Sequence, residues 1–369
     1  MKLSYIFKIR DKADATILAQ IEDPQNLEVT KILNDIDTAS FFLPFNSQFA
    51  TKAIIKRFNR VDVYEQIGAT ETKIFEGIIR GYDSNLEGVT VNMVDFLGLL
   101  TRRILFSADY TANSEAVNTT LTNLFSTMNG VDDTGLTINS TDIITTAVDK
   151  VFPRGENLAQ IIKDLAVAVD GEFQIVDRKL EFKSTIGTDR TIVGSADYRS
   201  FRSDIANPNE NSINRAEAPL DSREYANAIL GKAGSSFDGQ NDSGEITTYG
   251  RIETTEYFSS GDTGLTNQVE KRLDILKVQP QFPKIEPKTE GLFYQDINIG
   301  DLIPIFINTG SDLFSFDDNY KIVKKTLRRT DFALPRINIE FSENVKGEKN
   351  LIDTVNDLQD EVKALQLTI

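Results

Sequence analysis

Three residue types are missing altogether from this chain of 369 residues: cysteine, histidine and tryptophan. Without cysteine there is no disulfide framework, no thiolate zinc site and no thiol nucleophile. The missing histidine removes the commonest general base and metal ligand. An enzyme built from what is left would rely on paired carboxylates, serine–lysine arrangements or oxygen-only cation sites. Long apolar runs are missing as well. The N-terminal stretch is broken by Lys8 and Arg10 before an apolar region of useful length forms, so it does not read as a signal peptide. No run approaches the ~20 residues of a membrane span. The expectation is a protein assembled in a cytoplasm, with no membrane segment. Cations are also scarce: 40 Lys and Arg stand against 56 Asp and Glu, a net charge of -16. Gripping DNA takes Lys and Arg to replace counterions along the phosphates. An acidic chain suits instead a surface along which DNA passes without specific binding.

With 40% hydrophobic and 26% charged residues, the chain can bury an ordinary core. Its length exceeds what one core usually serves, which predicts two or three domains. The first hundred residues read as strands at Leu3–Ile9, Ile17–Ile21, Val29–Ile36, Ser40–Leu43, Arg60–Glu65, Lys73–Ile79 and Val89–Val94. Such a density of short strands predicts a sandwich or small barrel. The middle changes character. Val117, Leu121, Leu124, Phe125 and Met128 fall at helical spacing within Asn113–Asn129, and Leu158, Ile161, Ile162 and Leu165 do so within Asn157–Val169. A hairpin, Glu172–Val176 and Lys179–Phe182 around Asp177-Arg178, is expected to pack under that second helix. Ser195–Ser222 is polar and reads as a linker. Strands resume at Tyr225–Leu230 and Ile246–Phe258 around a Gly, Ser and Asp loop, Gly234–Glu245. A helix follows at Leu265–Lys277, then strands at Leu302–Ile307, Tyr320–Leu327 and Ile337–Phe341. The stretch Arg60–Arg80 echoes Asp301–Arg329, which fits two related β units in one chain.

After Gly347 the pattern becomes heptad. Leu351, Val355, Leu358, Val362, Leu365 and Ile369 alternate steps of four and three, with Val, Val and Ile at a and Leu at d. These six residues are the candidate oligomer interface. The alternative is a surface helix laid on the chain's own body. β-Branched a with Leu d favours two strands, though so few heptads leave the state to the rest of the chain.

Several motifs carry possible chemistry. Asp133-Thr134-Gly135 and Asp262-Thr263-Gly264 spell the aspartic-protease triplet, but neither follows an apolar strand, and Asp-Thr-Gly is common turn composition. Asp238–Glu245 is rich in oxygen ligands yet departs from the EF-hand order, so it reads as a flexible loop. Two basic clusters stand out: Lys52, Lys56, Arg57 and Arg60, and Lys321, Lys324, Lys325, Arg328 and Arg329. Each reads as a contact for acidic subunits or luminal DNA, or as a solvated face. No cofactor or metal is called for.

Blocks in order along residues 1–345 resemble the hub proteins of phage tail tips and contractile-tail baseplates. They are Phe41-Phe42-Leu43-Pro44-Phe45, Asn59-Arg60-Val61-Asp62-Val63-Tyr64-Glu65, Ile74-Phe75-Glu76-Gly77-Ile78-Ile79-Arg80-Gly81, Asp95-Phe96-Leu97-Gly98-Leu99-Leu100, Asn157-Leu158-Ala159-Gln160-Ile161-Ile162, Gly300-Asp301-Leu302-Ile303-Pro304 and Tyr320-Lys321-Ile322. The resemblance implies an α+β, mainly β chain: two tube-like β-barrel domains (1–100 and 222–345), an α+β domain and linker between them (101–221), and a short coiled coil (346–369). It implies a non-enzymatic homotrimer at the virion's tail tip, whose six barrels join a sixfold tail tube to a threefold fibre or spike and close the tube until DNA ejection. The implied partners are the distal tail protein or tail tube, the fibre or spike, and the tape-measure protein. The alternatives are a carboxylate-based cell-wall hydrolase and a receptor-binding adhesin.

Overall fold

The computed structural model describes residues 3–342 apart from 14–15, 132–133, 140, 142, 219–225, 234–235, 259–264, 278–281, 290–291, 312–313 and 331–333. The six heptad residues Leu351, Val355, Leu358, Val362, Leu365 and Ile369 therefore lie outside the described residues, as does the rest of 346–369.

The seven expected N-terminal strands are present: β1 (Leu3–Arg10), β2 (Ile17–Glu22), β3 (Gln25–Ile32), β4 (Thr38–Pro44), β5 (Arg60–Ile67), β6 (Thr70–Ser84) and β7 (Gly88–Val94). Alternation drives them. Val61, Val63 and Glu65 of β5 point inward while Asp62 and Tyr64 face partly outward. The turn from β6 to β7 is closed by Asn85, whose side-chain oxygen accepts from the N–H groups of Glu87 and Gly88.

A helical unit follows: α1 (Phe96–Leu100), β8 (Tyr110–Ala116), α2 (Val117–Val131), β9 (Thr137–Ile138), β10 (Ala147–Phe152), α3 (Leu158–Val169), β11 (Glu172–Val176) and β12 (Lys179–Lys183). Asn157 caps α3 by accepting from Gln160 N–H, and Asp170 ends it in the left-handed region at φ 53°. The hairpin turn has both Asp177 (φ 48°) and Arg178 (φ 59°) left-handed, as a two-residue type I′ turn requires. Phe173 and Phe182 pack, as expected, in one core with Ile161, Ile162 and Leu165 of α3. Helix α2 starts at Val117, later than the Asn113 expected from spacing. Asp149 binds the backbone N–H and hydroxyl of Ser114, holding it at φ 46° and keeping residues 113–116 in β8.

The stretch expected as a linker instead supplies two strands, β13 (Phe201–Asp204) and β14 (Ile213–Glu217). Next comes a small layer with its own core: β15 (Ala228–Ala233), β16 (Ser236–Asn241), α4 (Ser243–Tyr249), β17 (Glu253–Phe258) and α5 (Leu265–Leu276). Ile229 packs there against Val269, Leu273 and Leu276 of α5. The expected loop 234–245 is thus largely β16 and the start of α4, and Ile246 lies in that helix rather than in a strand. The last strands are β18 (Lys284–Pro287), β19 (Leu302–Asn308), β20 (Ser315–Arg329) and β21 (Arg336–Ser342).

The first and last β regions share one thirteen-stranded sheet, in the order β14-β18-β21-β20-β3-β4-β7-β6-β5-β1-β2, with β19 and then β13 branching from β20. The class is mainly β with helices, and no closed barrel forms among the described residues. The two regions meet where β20 pairs with β3, Leu327 opposite Val29 and Arg328 opposite Glu28. Their interiors form one core, in which Phe7 and Phe41 (ring centroids 4.5 Å apart) belong with Ile303, Ile305 and Ile339.

The faint sequence echo is a structural repeat. Phe58 (φ 70°) donates its N–H to the carbonyl of Ile79, and Ile79 N–H returns to the carbonyl of Asn59; Gly300 (φ 82°), Ile322 and Asp301 make the same pair of bonds. Both long strands, β6 and β20, then carry an irregularity one residue later, between Ile79 and Gly81 and between Ile322 and Lys324. Beyond it, Gly81 opposite Asn92 corresponds to Lys324 opposite Glu340. Val61 and Val63 match Ile303 and Ile305 in position and burial.

Candidate functional site

The second basic cluster, which reads either as a contact for acidic subunits or luminal DNA or as a solvated face, pairs with groups of the chain itself, Arg328 from an exposed position. Lys321 is buried against the Glu172 carboxylate, fastening β20 to the helical unit. Lys325 is 3% exposed and donates to the carbonyls of Tyr294 (3.0 Å) and Ile297 (2.5 Å), with its ammonium 3.8 Å from the Tyr294 ring centroid. Burial drops its pKa to about 7, with Lys31 adding to the effect and Asp301, Glu65 and Asp37 opposing it. Lys324 pairs with Glu340, Arg328 with Glu28 and Arg329 with Asp23. The last two pairs bridge the β20–β2/β3 side of the sheet. These side chains hold elements together.

Buried carboxylates do the same. Glu65 accepts from the Tyr5 hydroxyl (3.2 Å) and from the N–H groups of Tyr294 (3.2 Å) and Gln295 (3.0 Å), while burial raises its pKa. Asp301 accepts from Thr188 N–H, Asn298 N–H and Arg190 Nε. Burial lifts Asp37 to about 6 and also pushes Asp95 up, where the Asp37 charge adds to the rise.

The triplets offer no catalytic pair among the described residues. Asp133 and Asp262-Thr263-Gly264 lie outside them. Thr134 is buried with its hydroxyl on Asn129, and Gly135 turns at φ 71° beneath the Arg60 guanidinium, which also donates to the Thr134 carbonyl. The oxygen-rich stretch is structural too. Asp238 accepts from Gln240, and Asp242 caps α4 by accepting from Gly244 and Glu245 N–H while pairing with Lys277. Among the described residues, no group of three or more carboxylates could hold a metal ion.

The first basic cluster has a different fate. Arg57 lines an open groove of about 520 Å³ across β4, β7 and β6, together with Arg80 and Arg102. All three arginines are exposed, and among the described residues none has a carboxylate partner. Arg80 and Arg102 also border the adjoining recess of about 300 Å³ beside Phe58 and Ile36. Sequence proximity could find Arg57 alone, because Arg80 sits at the irregularity inside β6, between Ile79 and Gly81, and Arg102 follows α1's C-cap. Guanidinium groups spread along a groove are suited to binding carboxylates, and Glu28 and Asp83 line the same groove.

The whole arrangement has a recognisable fold: that of tail proteins from phages and of the related secretion machinery. The tail protein from Neisseria meningitidis MC58 is 12% identical, with 93% of this chain and 98% of that chain covered at a TM-score of 0.65. The 43 kDa tail protein of prophage MuSo2 from Shewanella oneidensis is 13% identical, with 92% and 98% covered at 0.61. The E. coli c3393 protein, a type VI secretion component described as structurally similar to T4 tail proteins gp27 and gp5, is 12% identical, with 93% and 79% covered at 0.52. No protein-family model matches the sequence, and no curated protein matches it.

Proposed function

We propose that this chain is the structural, non-enzymatic hub of a phage tail tip. The observation that carries the reading is a fold shared with two tail proteins over more than nine-tenths of both chains. The described likeness of a further neighbour to gp27 and gp5 supports the hub position in particular. The internal repeat supports the symmetry role. Two related β units per chain become six in a homotrimer, the number needed to meet a sixfold tube with a threefold body. On this reading the ring's upper face meets the tail tube or distal tail protein and its lower face a fibre or spike. The tape-measure protein ends at the ring, and DNA slides through an acidic lumen that stays closed until ejection. Residues 351–369 act as a coiled handle for the fibre or spike. The particle's tail tip is the site of action.

Light scattering on an eluting chromatographic peak tests this. The expected mass is about three times 41.2 kDa. A mass of 41.2 kDa that does not change with concentration would sink the hub reading.

A further inference from the structure

One transverse row of residues differs between the two β units in a way that points to a ligand. In the second unit, Lys284 of β18, Glu340 of β21 and Lys324 of β20 stand side by side across the sheet. Both lysines pair at 3.0 Å with the carboxylate between them. The equivalent row of the first unit is Ser40 of β4, Asn92 of β7 and Gly81 of β6. It carries no charge, and a Cβ at Gly81 would meet no atom within 4 Å. This row is the floor of the open groove of about 520 Å³.

Cations nevertheless surround that uncharged floor. Arg57, Arg80 and Arg102 reach it from the loop before β5, the irregularity in β6 and the turn after α1. The fold does not need them. The repeat sets Ile299 and Val323 at the places of Arg57 and Arg80, and still makes the same backbone bonds and the same irregularity. Nor do the groove's own carboxylates pair with them. Glu28 is held by the Arg328 guanidinium through both oxygens, at 3.1 and 3.3 Å, and Asp83 accepts from Asn92 Nδ2 at 2.7 Å. In a chain with 56 acidic and 40 basic residues, these three exposed arginines form a cationic surface against the overall sign.

We propose that the groove binds an acidic segment of a partner protein, with glutamate or aspartate on either side of an apolar residue. Its carboxylates take the place that Glu340 fills in the second unit, and each can accept a forked pair of bonds from a guanidinium. The apolar residue enters the adjoining recess of about 300 Å³, where Ile36, Phe58 and Leu99 stand beside Arg80 and Arg102. Polypeptide suits the site better than nucleic acid. A nucleic-acid strand carries a charge at every residue and would set some against Glu28, Asp83 and Asp35, which border the same space. A peptide can place its few carboxylates at the arginines alone. The groove lies within one chain, so it serves a partner whether or not the hub reading holds.

Fluorescence anisotropy on the full-length protein tests the assignment, with a labelled peptide Gly-Glu-Glu-Leu-Glu-Glu-Gly as probe. Saturable binding is expected, weakened roughly tenfold or more by Arg80→Glu with Arg102→Glu. Lys179→Glu, a cation swap at an exposed position on β12, should leave it unchanged. Arg80→Gln with Arg102→Gln serves if the first pair fails to fold. Asparagine in place of the probe's leucine should weaken binding roughly threefold or more, because the recess then takes a polar group. Asn92→Glu copies Glu340 of the second unit into the first, and it should raise the Tm and abolish peptide binding. No saturable binding, or binding that survives the arginine swaps, would overturn the site. Unchanged affinity in Asn92→Glu would overturn the placement of the carboxylates. A thymidine pentanucleotide should bind more weakly than the peptide; tighter binding, lost with the same arginines, would make the groove a nucleic-acid site instead. The assembly mass by light scattering should be the same in parent and arginine variants. A fall in that mass would give the groove to a second copy of the chain, whereas loss of peptide binding alone leaves the hub reading untouched.

Discussion

The ammonium of Lys325 is buried, so its proton is tied to folding. In the unfolded chain a lysine keeps its charge until about pH 10.4, whereas burial brings this one down to about 7. Between those values the unfolded state binds more protons, so this residue's contribution to stability rises with pH; below about 7 both states are charged and the burial penalty is present in full. Other lysines and tyrosines titrate over the same range, which a comparison removes. The difference in Tm between the parent and Lys325→Met should shift in favour of the parent as pH goes from 7 to 9.5. A difference that stays flat with pH would mean that Lys325 is not neutralised in the fold. The sequence shows this lysine only as one of five basic residues, because alternation places it inward without saying what it meets. Its acceptors, the carbonyls of Tyr294 and Ile297, are about thirty residues away.

Elements with local signals could be read from the sequence. The Asn157 cap, the left-handed Asp170 and the Asp177-Arg178 turn each announce a boundary through one residue's own chemistry. β13 and β14 were missed because nothing local marks them, whereas α4 does carry the Asp242 cap, hidden in a Gly, Ser and Asp stretch whose composition reads as a loop. The strands are short and polar, and they become strands by pairing with β19 and β18. The turn entering β19 shows how tightly the repeat is built. Gly300 sits at φ 82°, and a Cβ there would come within 2.3 Å of the Ile186 carbonyl oxygen. Gly300→Ala should therefore lower stability by more than the roughly 1–3 kcal/mol of a strained φ alone, read as a lower midpoint in urea with an unchanged slope. A loss under 0.5 kcal/mol would show that the segment at Ile186 moves aside freely. The counterpart of Gly300 in the first unit, Phe58, tolerates φ 70° at a more open place, 36% exposed to solvent.

At the scale of the molecule, the order of blocks along the chain pointed to the right fold, yet the sequence could not show that the two β regions share one sheet. Register between strands three hundred residues apart is a matter of tertiary fit. The arginine groove was hidden for the same reason, since its members converge from three separate elements. If the terminal heptads are a handle, Leu358→Asp with Val362→Asp should leave a trimer by light scattering and abolish capture of the downstream fibre in particle assembly. Collapse to monomers would shift the burden of assembly to the coil. Unchanged assembly and capture would make the heptads a surface helix. The union of β3 with β20 also bears on how the polypeptide is born. Glu28 waits for Arg328, 300 positions later. At about 5–20 residues per second on the ribosome, that is roughly 15–60 s during which seven strands stand with an open flank. Chains released early would never gain the covering strand, and such fragments should be found in inclusion bodies or held by chaperones.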